Sequence, residues 1–79
     1  MTIEELRAQI DAADEQLLAA FSKRMEIAGK IADYKREKGL PVLDSSRERQ
    51  KLADVVDRAQ APVKPYVGAL YHLLFELSR

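Results

Sequence analysis

Apolar or small side chains return at Ile3, Leu6, Ile10, Ala13, Leu17, Ala20, Ile27, Ile31 and Tyr34. The steps of three and four keep them on one side of a 3.6-residue spiral, which predicts one long amphipathic helix. Thr2 with Glu5 three residues later is a capping box that opens it, and the first residues able to stop it are Gly39 and Pro41. A helix from Thr2 to about Lys38 is about 54 Å long at 1.5 Å per residue, whereas a compact globule of this chain length is only about 30 Å across. The helix overshoots its own domain, so its apolar seam requires a second chain.

Lys38-Gly39-Leu40-Pro41 is a clear stop: Gly39 suits a left-handed cap, and Pro41 forces Leu40 out of the helical region. After a loop from Val42 to Ser45, a second helix is predicted to run to about Ala59, with Glu48, Leu52, Val55, Val56 and Ala59 along one stripe. Ser45 with Glu48 forms a second possible capping box, and Asp44 is the alternative cap. Gln60 to Pro65 reads as a linker, with Pro65 suited to the first position of a third helix. That helix carries Val67, Leu70, Tyr71, Leu73, Leu74, Phe75 and Leu77, apolar over more than half its circumference, and is expected to be buried from more than one side. No stretch reads as a strand. The predicted fold is all-α, with three helices per protomer, in a single domain over residues 1–79.

The chain has 79 residues, 47% of them hydrophobic and 33% charged, with no cysteine and one histidine. A core of this size is marginal without an added device. Disulfides and thiolate metal sites are excluded, so oligomerisation is the expected staple and no metal or cofactor is expected. No apolar run approaches the length of a membrane span, and the acidic N-terminus is unlike a signal peptide, so the expected location is cytoplasmic. The formal net charge is zero, which argues against nucleic acid as a partner. The charge is unevenly placed, however. Residues 1–21 carry one basic and five acidic groups, and residues 22–38 carry six basic and three acidic. Two such helices laid antiparallel set acid against base at both ends, so an antiparallel homodimer is the favoured arrangement.

Most catalytic constellations are missing. There is no Gly-rich phosphate loop and no carboxylate-rich metal motif, and His72 reads as a structural or surface residue. What remains is a set of cations. Arg24 takes a turn of the seam between Ala20 and Ile27, where a guanidinium must snorkel out or find an anion. Lys35 lies eleven residues on, and eleven steps of 100° return to nearly the same face, so both line one groove. Arg7 is about 25 Å from Arg24 along the axis and reaches that groove only from the partner of an antiparallel dimer. Arg47 and Glu48, at the start of the second helix, are placed to close the groove's end. Such a site suits a small anion with at least two negative groups, plus one acid for a hydroxyl.

At these residues the sequence resembles the all-helical chorismate mutase family, of the bacterial intertwined-dimer type. The resemblance runs from Leu6-Arg7 with Ile10-Asp11, through Asp14, Leu17-Leu18, Lys23-Arg24-Met25-Glu26-Ile27-Ala28 and Tyr34-Lys35, to Pro41-Val42 and Asp44 followed by Arg47-Glu48-Arg49. It implies an intertwined homodimer of three-helix protomers in aromatic amino acid biosynthesis, alone or fused to another shikimate-pathway enzyme. It further implies that Arg7 of the partner and Arg24 grip the two carboxylates of chorismate, and that Lys35 contacts a carboxylate and the ether oxygen. Asp44 and Glu48 would bind the ring hydroxyl, Arg47 would support the carboxylate end, and Ser78 would line the pocket. The family places a Gln one turn after the position of Ser78, whereas the sequence ends at Arg79. Three readings of this departure stay open: a chain trimmed at its C-terminus, a fragment of a longer protein, or a last helix that stops early with mutase activity in doubt for want of that Gln. Two other readings of the function stay open: an isochorismate-pyruvate lyase of the same fold, and a non-catalytic regulatory or dimerisation module.

Overall fold

The computed structural model describes all residues, 1–79, and consists of three α-helices with no strand: α1 (Ile3–Lys38), α2 (Ser45–Arg58) and α3 (Lys64–Ser78). The Oγ1 of Thr2 accepts a hydrogen bond from the Glu5 backbone N–H at 3.1 Å and so caps α1. At the other end Gly39 adopts φ +67°, a left-handed turn that a Cβ would disfavour, and Leu40 N–H closes back on the Lys35 carbonyl at 2.8 Å. The cap of α2 is Asp44 and not Ser45. Asp44 is the last residue outside the helical region, its Oδ1 accepts from the Arg47 N–H at 3.0 Å, and Ser45 is already the first helical residue. The expected linker is also more ordered than its prolines suggested. Ala61–Val63 form a 3₁₀ turn, with the Val63 and Lys64 N–H groups both on the Gln60 carbonyl, and α3 starts one residue before Pro65. Lys64 then reaches back and donates to the Val56 and Asp57 carbonyls at 2.8 and 3.1 Å, which satisfies the C-terminal end of α2 and attracts its dipole.

The helices share very little interior. α3 packs on α2 and crosses the C-terminal half of α1, while α1 and α2 do not meet closely. Only Val67 and Phe75, both on α3, are buried. Along α1 one stripe is half-buried, that of Phe21, Arg24, Met25, Ala28, Ala32 and Lys35, and every residue before Phe21 is exposed. The seam is therefore bare: Ile10, Leu17 and Leu18 are each 60% or more exposed. Arg24 is half-buried where α3 covers that flank of α1, while Ile27 and Ile31 of the same seam stay about half exposed. Within a protomer α3 is also covered on one side only, with Leu70, Leu73 and Leu77 about half exposed.

The molecule measures 55 × 24 × 16 Å and its radius of gyration is 16.0 Å, against about 12 Å for a compact chain of this length. Its accessible surface is 6583 Å², about 1,800 Å² more than a folded monomer of this mass exposes. No helix is long and apolar enough to cross a membrane.

Candidate functional site

Where the C-terminal half of α1, the start of α2 and the end of α3 converge, they enclose a cleft of about 380 Å³. Its floor is apolar, from Ile27, Ala28 and Ile31 on α1, Val42 in the following loop and Phe75 on α3. Its polar lining is unbalanced. Arg24, Lys35, Arg47, Lys51 and Arg79 face one carboxylate, Glu48.

Arg24 is held in a defined pose. Its Nη1 donates to Ser78 Oγ at 2.9 Å, and its guanidinium carbon lies 5.7 Å from the centre of the Tyr71 ring and 5.9 Å from that of Phe75. The two rings meet edge to face at 6.0 Å. A guanidinium bedded on aromatic faces keeps its charge and its planar donors while losing rotational freedom. No carboxylate lies within ion-pair distance of it. Ser78 is committed on both sides, since its own proton goes to the Leu74 carbonyl at 2.6 Å. A hydroxyl has one proton to give, so in this arrangement Ser78 orients Arg24 and has no donor left for a ligand.

Lys35 donates one of its three protons to the Val42 carbonyl at 3.1 Å, which draws the α1–α2 loop over the end of the cleft. Its remaining two are free for an anion. Arg47 and Glu48 enter from the first turn of α2, where the Asp44 cap fixes the backbone. Arg79 closes on Glu48 as a two-point pair, Nη2 to Oε1 at 2.5 Å and Nε to Oε2 at 3.3 Å. That contact raises the Arg79 pKa above its ordinary value, chiefly through the hydrogen bond to Glu48 and despite partial desolvation, which lowers it. Since the only carboxylate in the cleft is engaged, Arg24, Lys35, Arg47 and Lys51 have no anionic partner. Such an arrangement can hold an anion bearing at least two negative groups.

The family model described as chorismate mutase type II matches residues 6–79, nearly the whole chain. The chain belongs to the chorismate mutase type II family. It is also similar to the T-protein of Haemophilus influenzae (strain ATCC 51907 / DSM 11121 / KW20 / Rd), with 35% identity over 46 residues. Those residues are 58% of this chain and 12% of that protein, so the chain spans only a small part of the relative's length. No solved structure matches the chain.

Of the residues that the resemblance to the chorismate mutase family singled out, Arg24, Lys35, Arg47, Glu48 and Ser78 line this one cleft. Asp44 does not. It borders an adjoining hollow that also touches Lys35, with one carboxylate oxygen spent on capping α2. Arg7 is remote, exposed on the free half of α1, and makes no ion pair in the protomer. Sequence reasoning missed Lys51 and Arg79. For Lys51 a signal was present, because it stands four residues after Arg47 and shares its helix face. For Arg79 there was none, since its pairing with Glu48 depends on where α3 ends in space.

Proposed function

We propose that this domain is a chorismate mutase that works as an antiparallel homodimer and converts chorismate to prephenate. The observation that carries the reading is the cleft itself: four cations without a carboxylate partner over an apolar floor, in a chain of this family. The reaction is a concerted [3,3] rearrangement, in which the ether C–O bond breaks as the new C–C bond forms. No nucleophile or proton transfer is needed, in keeping with a site that offers only fixed donors and charges.

Catalysis on this reading has two parts. Arg24 and Arg7 of the partner subunit hold the two carboxylates, with Arg47 supporting the carboxylate end, so that a flexible dianion adopts the reactive chair, which removes much of the entropic barrier. Lys35 directs a positive charge at the ether oxygen as negative charge builds there. Glu48 receives the ring hydroxyl, with Arg79 steadying its carboxylate and Asp44 reaching the hydroxyl from the adjoining hollow beside Lys35.

Arg7 completes the site from the partner subunit. The bare seam of α1, the segregation of its charges and the surplus of about 1,800 Å² of accessible surface all support this, because obligate dimers bury areas of that size per protomer.

The test follows the disappearance of chorismate absorbance with the parent protein, Arg24→Ala and Lys35→Ala. Parent turnover at least about 10²-fold above both variants is expected, the usual loss on removing one transition-state donor. Equal rates, or pyruvate release from isochorismate without prephenate formation, would sink the reading.

A further inference from the structure

The resemblance gives no role to two charged residues of the cleft, Lys51 and Arg79, and of these only Lys51 has no carboxylate partner. It is half-buried in the middle of α2 and lines the cleft one turn beyond Arg47. The two acids within helical reach of it are both taken. Glu48, three residues before, is gripped at both oxygens by Arg79, and Asp54, three residues after, accepts from Arg58 at 2.6 Å. Lys51 itself makes no ion pair. No buried side-chain nitrogen lacks a partner, so its ammonium is not sealed in the protein, and its side chain lines the cleft.

A lysine in this setting works against the fold. Its neighbour at four residues' distance is Arg47, a like charge on the same helix face, and such pairs destabilise a helix. A solvated surface lysine would normally swing away to a nearby acid, but the arginines have claimed those acids. The arrangement is favourable only when an anion enters the cleft and answers Arg47 and Lys51 together.

We propose that Lys51 is a ligand-binding residue of this cleft, gripping together with Arg47 the same carboxylate of a dianionic ligand. The proposal rests on reading the cleft as an anion site and deepens it, because it adds a second cation at the α2 wall. Lys51 acts on binding and stays away from the breaking bond, so its loss falls on KM and leaves kcat nearly unchanged.

The experiment measures binding of benzylsuccinate, a dicarboxylate probe, by calorimetry to the parent dimer and to Lys51→Met, Lys51→Arg and Lys30→Met. Lys30 is an exposed lysine outside the cleft, paired with Glu26, and serves as the charge control. Lys51→Met is expected to weaken the probe about tenfold or more, with Lys51→Arg near the parent and Lys30→Met unchanged. Steady-state turnover of chorismate should show the same order in KM. The proposal is overturned if Lys51→Met binds the probe as tightly as the parent, if Lys30→Met weakens it equally, or if the parent does not bind it. Lysine-dependent probe binding without any prephenate formation would leave the proposal standing and bring down the mutase reading instead.

Discussion

Arg24 and Ser78 lie 54 residues apart in sequence, yet Arg24 Nη1 donates to Ser78 Oγ at 2.9 Å while the serine passes its own proton to Leu74 O at 2.6 Å. One hydroxyl thus ties the main cation of α1 to the last turn of α3 and fixes which way the guanidinium faces.

Ser78→Ala removes the acceptor and leaves the charge and the aromatic bed in place. Turnover of chorismate should fall about tenfold in kcat/KM, the value of one hydrogen bond to a charged group, against about 10²-fold or more for Arg24→Ala. Steady-state kinetics of the two variants check this. Equal losses would mean that Ser78 does more than orient Arg24.

A subunit-mixing experiment tests whether Arg7 acts across the dimer. Arg7→Ala and Arg24→Ala should each be nearly inactive alone. Unfolded together and refolded, they form mixed dimers in which one of two sites has both arginines. About a quarter of the parent activity should return, from the statistics of a two-fold symmetric pair. No recovery would show that Arg7 serves its own protomer or none.

Asp44 combines a structural task with a proposed chemical one, and its two substitutions separate them. Asp44→Ala should cost about 1 kcal/mol by uncapping α2, measurable in urea. Asp44→Asn should keep the cap and most of that stability, since Asn caps as well as Asp. Any fall in turnover for Asp44→Asn therefore reports on the hydroxyl contact alone.

Arg79 gives a prediction in pH. Folding raises its pKa, chiefly through the hydrogen bond to Glu48. The stability it adds is therefore present in full below the ordinary arginine pKa, and is lost only as pH climbs through the raised one. Thermal melts at about pH 7 and about pH 10 should show Arg79→Gln less stable than the parent by the same small amount at both, as suits an exposed pair. A difference that vanished at the higher pH would contradict the assignment.

Much of this was legible in the sequence where the determinants are local. The Thr2 cap, the Gly39 stop and the eleven-residue return from Arg24 to Lys35 each follow from one helix's geometry. Asp44 against Ser45 was undecidable, because both side chains can cap and only the backbone at Asp44 chooses. The rings under Arg24 and the Arg79–Glu48 pair were out of reach for a different reason. Tyr71, Phe75 and Arg79 meet their partners only through the packing of α3, and no periodicity within a helix encodes which helix lies across from it.

A protomer that buries only Val67 and Phe75 has almost no interior of its own. On the proposed dimer, dilution acts as a denaturant. The melting temperature should then climb with protein concentration and refolding should follow second-order kinetics, so the amount of the protein in a cell would itself decide what fraction of it is folded.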